Sequence, residues 1–312
     1  MNSIICIVGT TASGKTDLSV QLAKHYDTEI ISADSVQVYK GLDIGSAKPD
    51  LEEMQGICHH MISCVDINDK SFSVSKYREM AEPVVLDLLN KNKIPILTGG
   101  SGLYVSSVIS PLNFAVESDD KIRKKLEEAY DKDAEALYKE LKNIDPETAE
   151  RLHVNDKKRI VRAMEVIEIT HRKFSEYATS FEENNRKNLF DTLKIGIDIE
   201  RTELYNRINQ RVELMLEKGL MDEAKSIYDF GYDRNLPAMQ SIGYKELFDY
   251  FDGNCSLDEA VEKIKQNTRR YAKRQLTWYR RDADVKWIQF SEDKTLMYRQ
   301  AIQICDAFLE GK

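Results

Sequence analysis

The feature that most constrains this chain of 312 residues is a phosphate-binding signature near its start. Residues 9–16 read Gly-Thr-Thr-Ala-Ser-Gly-Lys-Thr and match the pattern G-x-x-x-x-G-K-[ST] at every position. A β-branched run at residues 4–8 precedes the signature, and a helical pattern from Lys15 to about His25 follows it. In a strand–loop–helix unit of this kind, backbone N–H groups surround an anionic oxygen and the helix N-terminus adds positive potential. The predicted diphosphate site therefore comprises Gly9, Thr10, Thr11, Ala12, Ser13, Gly14, Lys15 and Thr16.

Two residues of this loop have predictable roles. Lys15 neutralises charge on the outer phosphates, and the Thr16 hydroxyl is the predicted protein ligand of Mg²⁺. The loop does not define the reaction, because phosphoryl transfer usually also needs a strand that ends in Asp. The predicted strand at residues 94–97 ends instead in Thr98-Gly99-Gly100-Ser101.

The first third of the sequence predicts an α/β fold. Short apolar runs at residues 4–8, 29–33 and 94–97 alternate with helical patterns, which is typical of a parallel sheet. One helix should run from Val74 to about Asn90 with Ser73 as its N-cap, and Pro83 should kink or interrupt it.

From about residue 119 to residue 188 the chain is charged and helical, and Asp145-Pro146 reads as a helix start. Residues 193–199 alternate like a strand, and the chain after residue 202 reads as mostly helical. We therefore predict a P-loop NTPase-like parallel sheet core from residues 1–116 and 192–312. An all-helical domain is inserted at residues 117–191.

Asp34 lies where the second predicted strand ends. Ligands bind at the carboxyl edge of open α/β sheets, so this carboxylate should lie near the phosphate loop. There it could serve Mg²⁺ or act as a general base. A simple turn or helix cap is the alternative that the sequence leaves open.

The net charge of −8 first argues against a nucleic-acid partner, but charge position matters more than the total. Residues 263–281 contain eight Lys and Arg and no acid, with Tyr271, Trp278 and Tyr279 among them. Aromatic faces between cations are typical of surfaces that stack splayed bases. Lys157, Lys158, Arg159 and Arg162 form a second basic cluster.

The five cysteines are scattered and include no Cys-x-x-Cys pair, which favours reduced thiols in the cytosol. No targeting segment is visible, and no run approaches the ~18 apolar residues of a membrane span. We expect a cytoplasmic protein without a membrane partner. The segment Cys58-His59-His60, with Cys64 beyond it, fits no usual zinc spacing, so a strand edge with buried thiols is favoured.

Together these motifs resemble the tRNA dimethylallyltransferase (tRNA isopentenyltransferase) family. The matching segments follow in order over nearly the whole chain, at residues 9–16, 34–49, 99–104, 159–166, 240–246 and 270–278. Ser101 stands where many members have Thr, which keeps the hydroxyl. The sequence stops at Lys312 without the zinc-finger extension of eukaryotic members, so a bacterial-type member is expected.

The resemblance implies transfer of a dimethylallyl group from dimethylallyl diphosphate to the exocyclic amine (N6) of the adenosine 3′ of the anticodon in tRNA. Mg²⁺ would assist the departure of diphosphate from a protein that is expected to act as a monomer. Implied catalytic residues are Lys15, Asp34 as general base, and Ser101. Implied tRNA contacts are Asp34, Ser35, Val36, Gln37, Ser101, Arg123, Lys158, Arg159, Ile160, Val161, Arg162, Gln240, Ser241, Ile242, Gly243, Tyr244, Lys245, Lys273, Arg274, Gln275, Leu276, Thr277, Trp278, Tyr279 and Arg280.

Three other functions stay open at this point. The chain could prenylate free adenine nucleotides, act as a P-loop small-molecule kinase, or bind RNA without catalysis. Arg207 and Arg211 share one helix face and are expected either to reach the diphosphate or to pair with Glu203 and nearby acids.

Overall fold

A computed structural model describes residues 2–111, 116, 118–176 and 189–311. The chain divides into two compact units. The sheet unit comprises Met1–Ile109 and Phe190–Lys312, and the helical unit comprises Ser110–Leu189. Residue 117, the predicted start of the insertion, and residues 177–188 of the predicted helical block lie outside the described residues.

The sheet unit contains a six-stranded sheet in the order β3-β2-β4-β1-β5-β6, in which all neighbouring strands run parallel. This confirms the predicted α/β class. All six residues of β1 are buried, as expected for a central parallel strand that is covered on both faces. The strands are β1 (Ser3–Val8), β2 (Ile30–Ser32), β3 (His59–His60), β4 (Ile96–Gly99), β5 (Asp191–Asp198) and β6 (Val285–Gln289).

Helices connect these strands along the chain, and a final helix follows β6. In the described ranges, no helix is both long enough and apolar enough for a bilayer crossing. The first four helices are α1 (Lys15–His25), α2 (Leu51–Met54), α3 (Val74–Asn90) and α4 (Gly102–Ile109). The helical unit contains α5 (Asp120–Lys132), α6 (Ala134–Ile144), α7 (Pro146–Glu150) and α8 (Lys157–Thr170). The sheet unit resumes with α9 (Arg201–Glu217), α10 (Leu220–Phe230), the 3₁₀ turn Ala238–Gln240, α11 (Tyr244–Phe251), α12 (Leu257–Arg280) and α13 (Lys294–Glu310).

Alternate side chains of β1 enter two cores. Ile4, Cys6 and Val8 join residues of α3, α4, α11 and α12, whereas Ile5 and Ile7 join residues of α1 and α13. Helices therefore cover both faces of the sheet, and its carboxyl edge is left for the loops that follow β1, β2 and β4.

Helix α3 has the predicted bounds, and the Ser73 side chain accepts a hydrogen bond from the Lys76 N–H at its start. The predicted interruption at Pro83 is wrong, because the helix continues through it. Pro83 and Glu79 are both exposed, so water can solvate the Glu79 carbonyl that lacks an N–H partner.

The chain is mostly helical after residue 202, as predicted, but it also contains strand β6, which was not predicted. This strand pairs with β5 at the sheet edge, and it contains buried Val285 and Ile288 together with exposed Lys286 and Gln289. Val285 and Ile288 are three positions apart, so these five residues lack the period-two alternation by which a half-buried strand is detected from sequence.

The helical unit has a core of its own, which includes Leu126, Leu141, Ile160 and Met164. The predicted helix start at Asp145-Pro146 is confirmed, since the Asp145 side chain accepts from the Thr148 N–H.

Candidate functional site

The phosphate loop joins β1 to α1. Gly9, Ala12 and Gly14 have positive φ angles of 136°, 61° and 94°. These left-handed conformations bend the backbone into a concave loop, a geometry typical of anion-binding nests. The Ser13 hydroxyl and the Lys15 ammonium both donate to the Thr10 carbonyl, at 2.8 and 2.5 Å, and so brace the loop from within.

Three cationic side chains converge on this loop. Arg207 of α9 donates to the Ala12 carbonyl at 2.8 Å, and Arg211, one turn later, lies 3.5 Å from the Thr11 hydroxyl. Neither these arginines nor Lys15 forms an ion pair with any carboxylate that the structure describes. Of the two alternatives left open for the arginines, the structure places them at the loop and not in pairs with Glu203.

The electrostatics of the loop match its geometry. Burial lowers the pKa of Lys15 to about 7, and repulsion from Arg211 adds to this effect. Burial also lowers the pKa of Arg211. The buried hydroxyl of Thr10 lacks a hydrogen-bond partner among the described residues. Such a site stabilises an anion, because a bound anion restores the charged form of the lysine and supplies an acceptor for buried donors.

Asp34 follows β2 and is half-buried. Its Oδ1 accepts hydrogen bonds from the Val36 and Gln37 N–H groups, at 2.9 and 3.3 Å. The carboxylate therefore does cap a turn. Its other oxygen accepts no hydrogen bond from the described residues, so it is free to take a proton or to contact a ligand.

Ser101 lies beyond the end of β4, beside the turn that follows β2. Its Oγ accepts from the Ser35 N–H at 3.2 Å and lies 3.2 Å from the Ser35 hydroxyl. A Cβ at Gly99 would lie 2.0 Å from the Ala33 carbonyl oxygen, so only glycine permits this close approach. The ends of β2 and β4 thus bring Ser101 and Asp34 to one part of the sheet edge.

Helix α12 packs against the same edge. The Gln275 side-chain oxygen accepts from the Thr11 N–H at 2.8 Å, and the Tyr279 hydroxyl lies 3.3 Å from the Gly99 carbonyl. Cβ atoms at Gly100 and Gly102 would lie 2.0 and 2.1 Å from the side chains of Gln275 and Trp278. The glycines in this turn are therefore required for the contact between α12 and the phosphate-loop edge.

Tyr271 of α12 also reaches this edge. Burial, with a further contribution from the Asp34 charge, raises the pKa of Tyr271 to about 12, although hydrogen bonds with Ser101 and Gln275 oppose the rise. The guanidinium of Arg274 lies 5.7 Å from the Tyr271 ring. The sequence indicated Tyr271 only as a stacking surface, whereas the structure places it beside the predicted catalytic residues.

The segment that follows Asp34 is held by Glu223 of α10, a residue that no sequence motif indicates. Its carboxylate accepts from the N–H groups of Asp43, Ile44 and Gly45 at 2.9, 2.8 and 3.0 Å. The Tyr244 hydroxyl donates to it as well, at 2.6 Å. A single glutamate 180 positions from its partners carries no local motif, so the sequence offered no signal for it.

The predicted tRNA contacts divide into three groups by exposure. The exposed residues are Lys158, Arg159, Gln240, Lys273, Arg274, Thr277, Trp278 and Arg280. The half-buried residues are Asp34, Ser35, Val36, Gln37, Ser101, Arg123, Arg162, Ile242, Lys245 and Leu276. The buried residues are Ile160, Val161, Ser241, Gly243, Tyr244, Gln275 and Tyr279. The buried residues stabilise the fold in this structure, and their contact with tRNA stays a prediction.

In the helical unit, Arg123 and Arg162 are both bound to the buried Glu165, at 2.9 and 2.7 Å. The Ser118 hydroxyl and the Asp119 N–H complete this cluster. Burial alone would raise the pKa of Glu165, but the hydrogen bonds from both arginines and Ser118 outweigh it and lower the pKa. The two arginines are therefore structural here, and Lys158 and Arg159 are the more exposed cations of α8.

Helix α12 carries the basic stretch predicted from the sequence. Two of its cations are engaged: Lys265 pairs with Glu213 and Glu262, and Arg280 pairs with Asp198. The other exposed cations of the stretch have no carboxylate partner in the described part of the chain. They are Lys263, Arg270, Lys273, Arg274 and Arg281.

The phosphate loop, its unpaired cations and the nearby carboxylate at the carboxyl edge of a parallel sheet define a P-loop phosphate-binding protein. A family model described as IPP transferase matches residues 37–282. The chain belongs to the IPP transferase family.

Named relatives agree with this assignment. The tRNA dimethylallyltransferase of Acetivibrio thermocellus is 47% identical over 302 residues, which cover 95% of this chain and 96% of that relative. The crystal structure of the full-length tRNA isopentenylpyrophosphate transferase from Bacillus halodurans is 40% identical, with a TM-score of 0.73 and 99% of each chain covered. A eukaryotic dimethylallyltransferase, solved acting on tRNA, is 28% identical with a TM-score of 0.84, and the match covers 100% of this chain and 80% of that one.

Proposed function

We propose that this chain transfers a dimethylallyl group from dimethylallyl diphosphate to N6 of the adenosine 3′ of the anticodon in tRNA. The observation that carries the proposal is the phosphate loop with three unpaired cations, Lys15, Arg207 and Arg211, beside the free carboxylate oxygen of Asp34. Diphosphate is the leaving group in this reaction, so the strongest positive charge belongs where the leaving group is bound.

In the proposed step, the bond between C1 of the dimethylallyl group and the diphosphate oxygen breaks, and the electron pair leaves with diphosphate. The adenine N6 forms the new bond to C1, and the free oxygen of Asp34 accepts the proton that N6 loses. Lys15 and the two arginines stabilise the charge on the leaving group. Ser101, bonded to Ser35, is placed to orient the adenine or the diphosphate.

The donor set of the loop fits Mg²⁺, which prefers oxygen ligands and keeps part of its water shell. The Thr16 hydroxyl, with oxygens of the diphosphate itself, would hold the ion, and Asp34 is the nearby carboxylate. Bound Mg²⁺ would supply further stabilisation of charge on the departing diphosphate.

For the RNA, we propose that exposed cations of α12 contact phosphates and that Trp278 stacks on a splayed base. The target adenine must leave its stack in the anticodon loop to reach a buried donor. We assign the helical unit, with Lys158 and Arg159, a part in holding the same stem-loop. Action as a monomer stays a prediction.

The test is incubation with dimethylallyl diphosphate labelled in the prenyl group, Mg²⁺ and unmodified tRNA, followed by a search for label in RNA. Label on the predicted adenosine is the expected result. Equal prenylation of AMP or ATP would favour the free-nucleotide activity, and transfer of ³²P from γ-labelled ATP would favour a kinase. Binding of tRNA without consumption of the donor would favour a non-catalytic RNA-binding protein.

A further inference from the structure

The edge strand β3 brings together three side chains for which the proposed reaction has no use. The sequence predicts a strand edge with buried thiols for this segment; the strand is present, but Cys58 is exposed. The parallel register pairs Ile30 with His59 and Ile31 with His60. Since side chains alternate along an extended chain, Cys58 and His60 share one face, and Glu29, immediately before β2, lies beside Cys58.

The three ligand atoms lie close together. Glu29 Oε2 is 2.6 Å from His60 Nε2, and Cys58 Sγ is 3.5 Å from the same nitrogen. All three atoms lie within 4.8 Å of one another, as neighbouring ligands of one metal ion do. About a quarter of each of the Glu29 and His60 side chains is exposed, 27% and 29%, so an ion has access.

We propose that Glu29, Cys58 and His60 bind Zn²⁺, with water as the fourth ligand. Thiolate, imidazole and carboxylate are the ligands that zinc takes in proteins, at about 2.0–2.3 Å, and three protein ligands plus water is an established set. The thiolate also disfavours Mg²⁺, which prefers oxygen. Sequence spacing concealed the site because its third ligand, Glu29, lies 29 positions before Cys58, immediately before the neighbouring strand β2.

This site is separate from the phosphate loop. Glu29 and Cys58 precede β2 and β3, whereas Asp34 and the loop lie beyond the carboxyl ends of β2 and β1. The three residues of β2 alone span about 10 Å. The ion would tie the two-residue edge strand β3 to β2, so its effect should appear in stability and not in the chemical step.

The experiment is a titration of the whole protein with Co²⁺ in Mg²⁺ buffer, followed by competition with Zn²⁺. Co²⁺ reports its ligands through its absorption spectrum. We expect one Co²⁺ per chain, a thiolate-to-metal charge-transfer band, and displacement by Zn²⁺. Cys58→Ser should remove the band, and Cys58→Ser, His60→Gln and Glu29→Gln should each weaken binding by at least about tenfold.

Cys64→Ser and Cys255→Ser are the matched controls and should bind as the parent protein does, since both thiols lie outside the cluster. In the unaltered protein, Zn²⁺ should slow alkylation of Cys58 but not of Cys255, and should raise the unfolding temperature. A charge-transfer band that survives in Cys58→Ser, or an absence of stoichiometric Co²⁺ binding, would show that Glu29 and His60 form only an ion pair.

Discussion

The Tyr244 hydroxyl donates a 2.6 Å hydrogen bond to the Glu223 carboxylate, which at the same time accepts from three successive backbone N–H groups, of Asp43, Ile44 and Gly45. One carboxylate thereby joins α10 and α11 to the segment that leads from Asp34. Gly45 fits beneath Tyr244 only because it lacks a side chain, since a Cβ would lie 2.6 Å from the ring. Two matched segments of the family resemblance, residues 34–49 and 240–246, therefore contact a glutamate that lies outside all of the matched segments.

Glu223→Ala should therefore destabilise the sheet unit. Four donors lose their acceptor at once, and each unsatisfied donor costs about 1–3 kcal/mol where water cannot replace the acceptor. Because this site is half-buried, we expect a total loss of about 2–3 kcal/mol in the free energy of unfolding. Urea denaturation measures it, and hydrogen exchange should show faster opening at Asp43, Ile44 and Gly45. Asp222→Ala, one exposed position earlier, is the control and should leave both unchanged.

The cap and the general-base roles of Asp34 can be separated by Asp34→Asn. The asparagine oxygen still accepts from the Val36 and Gln37 N–H groups, but the side chain cannot take a proton. We expect turnover to fall by ~10²–10⁴, with little change in tRNA affinity or stability. Single-turnover kinetics and filter binding provide the measurements. Near-normal turnover in Asp34→Asn would show that Asp34 acts only as a turn cap and not as the general base. Asp34→Ala removes the cap as well, so this variant should lose both turnover and stability.

Much of the sheet unit was predictable from the sequence, because the sequence signals that specify its strands, turns and helices are local. The phosphate-loop signature, the Ser73 cap and the β-branched runs each specify a strand, a turn or a helix within a short window. Strand β6 was missed since it depends on pairing with β5 and has a weak pattern of its own. Glu223 and Glu29 were missed for a related reason: their partners are distant in the chain, and no single window contains both halves of the contact.

Diphosphate binding should be coupled to proton uptake at Lys15. With its pKa at about 7 in the free protein, the side chain is half neutral at that pH and mostly neutral at pH 8, and a bound anion restores its charge. The part of the diphosphate affinity that depends on the positive charge of Lys15 should fall by roughly fivefold between pH 7 and pH 8. Calorimetry in buffers of different ionisation enthalpy measures the protons taken up.

The lowered pKa of Lys15 also determines whether the stability of the folded protein rises or falls with pH. The folded pKa of Lys15 lies below its ordinary value of 10.5, so the unfolded chain binds more protons between about pH 7 and pH 10.5. The contribution of Lys15 to ligand-free stability should therefore rise with pH in that window. Lys15→Gln should abolish this rise and the proton uptake, whereas Lys24→Gln, later on α1, should preserve both.

Lowering the pH should destabilise the helical unit, because Glu165 becomes protonated. Its folded pKa lies below the ordinary value of 4.5, so its contribution to stability is present above that pH and is lost as pH falls through the folded pKa. Glu165→Gln should remove part of this acid sensitivity and cost about 2–4 kcal/mol at neutral pH, because two arginines lose their buried partner. Hydrogen exchange of α5 and α8 amides reports on this unit. Glu168→Gln, which breaks only the exposed pair with Lys125, should have a small effect.

The charge on α12 should appear in the salt dependence of tRNA binding. Lys273 is exposed and unpaired within the described chain, so Lys273→Ala should remove about one phosphate contact. The slope of log K against log salt should then decrease in magnitude by about 1, uniformly across tRNA species. Lys265→Ala is the matched change on the same helix, but its ammonium is already bound to Glu213 and Glu262. It should leave the slope unchanged, and equal effects of the two substitutions would contradict the assignment of the unpaired cations to the RNA.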